Sequence, residues 1–187
     1  MIGISLQAFA QRWALEWDSA ITTKIVGGRG EVVRAKGRRF VLVRSQGWPP
    51  PANNAHTVAF VGVNPSNADA ASDDHTVRRC WAYAKRDGAA HLVMLNLCAV
   101  RSTDPVMLVV EDRMSDSEHA AVAEVARAAH RVVVAWGVPG GESFPRRIKQ
   151  VLGALGDAPL WCLGCTKAGH PRHPSRLASV VAFEPWP

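Results

Sequence analysis

The segment His170-Pro171-Arg172-His173-Pro174-Ser175-Arg176 packs two imidazoles, two guanidiniums and two prolines into seven residues. Proline fixes its own φ, so such a loop can hold a histidine in a set direction. An imidazole held that way can donate a hydrogen bond to developing negative charge, neutral or protonated. Arg172 and Arg176 suit the oxygens of backbone phosphates. The plainer reading is a basic surface loop. Two asparagines at the ends of apolar runs add to this. Asn64 follows Gly62-Val63 and precedes Pro65-Ser66. Its amide has both an acceptor and donors for a water, and orients a nucleophile better than it deprotonates one. Asn64-Pro65 also reads simply as the start of a turn. Asn96 follows Val93-Met94-Leu95 in a segment that otherwise wants burial. A buried amide needs partners: either the edge of a nucleobase or neighbouring backbone.

Asp73-Asp74-His75 with Arg78-Arg79 is a third cluster. One aspartate can cap a helix, with arginine one turn later as its partner. An acidic pair with a histidine also fits a metal, but no third ligand stands at a diagnostic spacing. Cys162-Leu163-Gly164-Cys165 is a lone CxxC, and Cys80 and Cys98 complete the cysteines. A four-cysteine zinc or iron–sulfur site would need a helix and two strands to converge by chance. Buried free thiols are the simpler reading. No metal and no cofactor is expected.

These groups need a scaffold that brings strand ends together. Val58 to Val63, Leu92 to Leu95, Arg131 to Trp136 and Leu160 to Leu163 are apolar runs of the kind covered on both faces. Helices are expected between them over 76–87, entered at Asp73-Asp74, over 116–130 behind a Ser115–Glu118 capping box, and near 144–155. Residues 164–179 read as irregular loop. Alternating strands and helices imply an α/β fold, with helices on both faces of a mostly parallel four-stranded sheet. Ligands of such sheets sit beyond the carboxyl ends of the strands, so Asn64, Asn96, Gly137 and the His173 loop are expected at one crevice. Ahead of this core, Leu6, Phe9, Ala10, Trp13 and Trp17 share a helical face over 5–20, and the β-rich runs of 24–45 suggest a hairpin. The expected organisation is one domain over 1–187, an extension at 1–55 joined to a core at 56–187. Most of the seven tryptophans read as core, with Trp48 and Trp186 as candidates for exposed stacking.

The 187 residues, 48% hydrophobic and 20% charged, exclude a disordered tail, a fibre or a disulfide-framed miniprotein. No run approaches the ~20 apolar residues of a membrane span. No charged region followed by an apolar stretch marks a secretory signal, and four cysteines without one point to a reducing, cytoplasmic setting. The net charge is +6. Residues 1–55 carry 8 basic and 3 acidic groups, 56–120 carry 6 and 9, and 121–187 carry 8 and 4. A basic balance favours contact with a polyanion.

Taken in order, Gly62-Val63-Asn64-Pro65-Ser66, Val93-Met94-Leu95-Asn96, Val133-Val134-Ala135-Trp136-Gly137 and His173-Pro174-Ser175-Arg176-Leu177 resemble the motif set of the uracil-DNA glycosylase superfamily. The chain is more closely similar, over roughly 56–186, to the domain of unknown function 1643 family. There Asn64-Pro65-Ser66, Asp73-Asp74, Thr76, Arg78, Thr166-Lys167 and His173-Pro174 are typical. The glycosylase resemblance implies a three-layer α/β/α sandwich. It implies a water placed by Asn64, a base held by Asn96 with Pro65 and Ser66, and a leaving base stabilised by His173. It implies DNA phosphate contacts from Ser175 and Arg176, beside Arg172 of the same loop; no membrane is expected and no protein partner is implied. The sequence departs from that pattern in three ways. Ser66-Asn67 replaces a tyrosine and histidine, no aromatic for base stacking stands out between Asn67 and Asn96 because Trp81 and Tyr83 fall in a helix, and the Asp73, Asp74 and Arg78 cluster lies outside the pattern as a possible family-specific site. Three functions are open: a DNA N-glycosylase acting on a uracil-like or modified base, a non-catalytic nucleic-acid or modified-base binder, and a nucleotide-modification enzyme. The last predicts that the Asp73, Asp74 and Arg78 cluster faces the same crevice as Asn96.

Overall fold

Short β-rich runs separated by glycines form the first strands of the structure, a computed structural model that describes residues 21–26, 29–34, 38–46, 55–102, 114–138, 140 and 144–187. The helix expected over 5–20 and Trp48 lie outside the described residues. β1 (Ile21–Val26) pairs antiparallel with β2 (Arg29–Arg34), and β2 with β3 (Arg38–Ser45). The hairpin expected over 24–45 is therefore a three-stranded meander, and β3 is buried along most of its length.

The four apolar runs form β4 (Thr57–Gly62), β5 (His91–Asn96), β6 (Arg131–Val134) and β7 (Leu160–Cys162), each parallel to its neighbour in the order β5-β4-β6-β7. The sheet continues past both edges of this block. β3 adds antiparallel to β5, and β8 (Glu184–Pro185) adds antiparallel to β7, giving eight strands among the described residues. The expectation of a four-stranded, mostly parallel sheet thus describes the central block, and the whole sheet is mixed. The flanking strands pair with partners distant in sequence, which local periodicity does not reveal.

Helices cover both faces. Strand residues alternate between two clusters. Ala59, Val61, Val93, Leu95, Val132 and Val134 belong to one, with α2 (Asp116–Arg127) and α3 (Phe144–Leu155). Val58, Phe60, Leu92, Met94 and Val133 belong to the other, with α1 (His75–Arg86). The chain runs from β4 to β5 in one direction across the sheet, then back past β4 to β6 and β7. Crossovers of constant hand put the helices of the two legs on opposite faces. Asp74 caps α1, its carboxylate accepting from Val77 N at 2.8 Å, and the Ser115–Glu118 capping box opens α2. No helix among the described residues is long and apolar enough to cross a membrane.

Candidate active site

Reversal of the strand order leaves a gap above the carboxyl ends of β4 and β6, where open α/β sheets place ligands. A cavity of about 830 Å³ lies there. Val63 and Asn64 line it from the end of β4, Trp136, Gly137 and Val138 from the end of β6, and Phe144 from the start of α3. Thr166, Arg172, His173, Ser175 and Arg176 close it from the loop after β7.

Asn64 is held from behind. Its Nδ2 donates to the carbonyl oxygens of Pro65 at 2.8 Å and Ser102 at 2.6 Å. Two carbonyl partners fix which end of the amide is the NH2. Oδ1 is left as an acceptor with no protein partner among the described residues. Pro65 is buried, and its carbonyl also accepts from Ser102 N at 3.1 Å. Ser66 lines a second cavity of about 470 Å³ with Asn67, Arg101 and Ser102.

His173 caps the 3-10 turn Pro174–Arg176. Its Nδ1 lies 2.7 Å from Ser175 Oγ and receives the Ser175 backbone N–H at 3.4 Å. A backbone N–H only donates, so Nδ1 is an acceptor and the ring proton sits on Nε2. Burial holds the imidazole below its ordinary value of 6.5; Arg176 and His75 push the same way and Asp74 opposes. His173 is therefore a neutral hydrogen-bond donor at neutral pH. Gly137 permits its approach: a Cβ there would come within 3.1 Å of His173 Cβ, and its φ of +71° is one that side chains disfavour.

Asn96 is placed differently. It is 5% exposed at the end of β5 and does not line the cavity. With its amide turned to satisfy its neighbours, the nitrogen donates to Asn64 O at 3.2 Å and Leu95 O at 3.1 Å. A Cβ at Gly62 would meet the Asn96 amide end at 3.0 Å, so the glycine makes room for this contact. The structure brings Asn64 and His173 to one cavity and sets Asn96 beneath Asn64.

Asp73, Asp74 and Arg78 do not line the cavity either. Asp73 accepts from Arg44 Nε at 2.7 Å, and its carbonyl accepts from Arg78 Nη1 at 2.6 Å. With Asp74 as the cap of α1, all three make contacts that fix the start of that helix. Arg44, only 2% exposed, also donates to the carbonyls of Asp69 and Ser72, and Arg39 donates to that of Ala68. These two arginines hold the 63–74 connection in place. On the far side, Arg79, Tyr83 and Arg86 bind the carbonyls of Leu177, Ala178, Ser179 and Val181, anchoring the chain that leaves the His173 turn. The sequence alone does not show this frame; its one signal is an arginine at each end of the apolar run of β3.

The four cysteines do not converge. Cys80 belongs to the cluster on the α1 face, and Cys98 and Cys162 to the opposite one. Trp186 packs edge-on against Trp136, ring centroids 5.6 Å apart, so it braces the cavity wall instead of standing free for stacking.

Residues 39–175 match a family described as a protein of unknown function (DUF1643), and the chain belongs to that family. The match starts within β3 and ends at Ser175, so it spans the cavity-lining strand ends and His173. No curated protein matches the chain.

Proposed function

We propose that the chain is a DNA glycosylase-like hydrolase that cuts the N-glycosidic bond of a uracil-like or modified base in DNA. One observation carries the reading. A neutral imidazole, its Nδ1 occupied by Ser175, shares a cavity with an asparagine whose Oδ1 is left as a fixed acceptor. Breaking the bond sends its electron pair to the base while the sugar takes on oxocarbenium character. His173 Nε2–H donates to the base as that charge grows, Asn64 Oδ1 accepts from the water that adds to the anomeric carbon, and the proton that water loses passes through solvent to the departing base anion, which leaves as the neutral free base. Helices on both faces of a parallel block support a three-layer, glycosylase-like sandwich. Trp136 and Phe144 offer apolar walls for a flipped base, and Arg172 and Arg176 offer cations for the flanking phosphates. Asn96 acts from behind, holding the Asn64 backbone, and Pro65 holds the Asn64 amide.

A panel of single- and double-stranded oligonucleotides carrying uracil and modified bases, treated with alkali after incubation, tests this. At least one is cleaved with release of the free base, and Asn64→Ala and His173→Ala each slow release about 100-fold. No cleavage anywhere in the panel, with binding unchanged in both variants, refutes the proposal. A binding module is the second reading, favoured by the absence of any carboxylate among the described lining residues. It gives salt-sensitive binding that Arg172→Ala or Arg176→Ala weakens, without turnover.

A further inference from the structure

Cys162, Cys165 and Glu184 form the one grouping of metal-ligating side chains among the described residues in which three ligand atoms lie within 4.8 Å of one another. We propose that they bind a zinc ion that clasps the sheet edge to the loop carrying Arg172 and His173.

Geometry makes the case. Cys162 Sγ and Cys165 Sγ are 3.8 Å apart. Two zinc–sulfur bonds of about 2.3 Å at a tetrahedral angle put their sulfurs about 3.8 Å apart. The third ligand comes from the sheet. Glu184 stands opposite Cys162 in the antiparallel β7–β8 pair, and its Oε1 lies 3.8 Å from Cys162 Sγ. Twenty-two positions of chain separate these two residues, and only the register joins them. Gly164, at φ +88°, lets the CxxC segment fold back so that both sulfurs face one point. Two thiolates select a soft divalent cation over magnesium or calcium, and water completes the tetrahedron. Binding displaces the two thiol protons to solvent.

The position gives the ion a task. β7 has three residues and β8 two, too little pairing to fix an edge firmly. Cys165 bridges to Pro171, its carbonyl accepts from Arg172 Nε at 3.1 Å, and Gly164 O accepts from Arg172 N at 2.8 Å. A cation here fastens both sides of the root of the loop that lines the cavity. The sequence alone reads these cysteines as buried thiols, because nothing in it sets Glu184 beside them.

Elemental analysis of the full chain, purified without chelators, is expected to find about one zinc per chain. The chelated chain takes up one Zn2+, and one Co2+ with thiolate-to-cobalt charge-transfer absorption. Cys165→Ser and Glu184→Gln each weaken Zn2+ binding at least about tenfold. Should Cys165→Ser fail to fold, alkylation of the unaltered chain decides: Cys165 is protected with zinc and reacts after chelation. No uptake of either metal, a native Cys162–Cys165 disulfide, or uptake indifferent to both substitutions overturns the proposal. Metal content is read without any substrate, so its outcome is independent of the glycosylase reading.

Discussion

Ser175 delivers two donors to one nitrogen of His173, its hydroxyl and its own backbone N–H. That fixes the tautomer, and burial with Arg176 keeps the ring from taking a second proton. The pH dependence follows in sign. The native value lies below 6.5, so a reaction needing neutral His173 is flat through neutrality and declines only as pH falls below 6.5. His173→Gln, which keeps an N–H donor, should retain part of the rate and lose that acid limb; a pH–rate profile of both proteins checks it. Stability carries the same sign. The unfolded chain binds the extra proton first as pH falls through 6.5, so stability is lost on acidification towards the native value. Ser175→Ala removes the hydroxyl donor, worth about 1 kcal/mol, and should lower kcat several-fold with little change in KM. That Asn64 and His173 line one cavity was legible because strand ends and proline-bound loops advertise themselves in sequence. Asn96 was legible as unusual, but its direction was not: its partner, Asn64 O, is supplied by the parallel register of β4 against β5.

At the scale of elements, Gly137 joins β6 to the site. Alanine there meets a φ of +71° and the His173 Cβ at once. Gly137→Ala should cost about 1–2 kcal/mol in urea unfolding and displace His173, lowering turnover more than a surface substitution of equal stability cost. The Asp73 carboxylate makes the opposite prediction. It pairs with buried Arg44 away from the cavity. Asp73→Asn should destabilise by about 2 kcal/mol while leaving substrate affinity unchanged, as denaturation and titration on the same protein would show. A loss of affinity at full stability would return the Asp73, Asp74 and Arg78 cluster to the site. Sequence periodicity located the four parallel strands and the helices α1, α2 and α3 to within a few residues, because burial on both faces and capping residues are local signals. It showed β3 as a strand of a hairpin, but not as the neighbour of β5 in the main sheet with Arg39 and Arg44 buried, nor β8 opposite β7. Those depend on which distant segments pair, and a buried arginine reads in sequence like an exposed one.

Over the whole molecule, net charge is a poor guide to where a polyanion would lie. The amino-terminal excess includes Arg39 and Arg44, both buried and spent on loop carbonyls and Asp73. Arg79 and Arg86 are likewise committed to carbonyls beyond the His173 turn. Arg172 and Arg176 differ: both are exposed at the cavity rim, and Arg172 uses only its Nε, towards Cys165 O. Phosphate contact should therefore centre on the cavity and involve few charges. Each phosphate neutralised on duplex DNA contributes about −0.9 to the slope of log affinity against log salt. Arg172→Ala and Arg176→Ala should each make that slope shallower by about 1, whereas Lys149→Ala, exposed on α3, should not change it. Fluorescence anisotropy of a labelled oligonucleotide across a salt series measures this. Equal slopes in all three variants would mean that nucleic acid, if bound, lies on another face, and the cavity would then have to be read as a site for a small, unphosphorylated molecule.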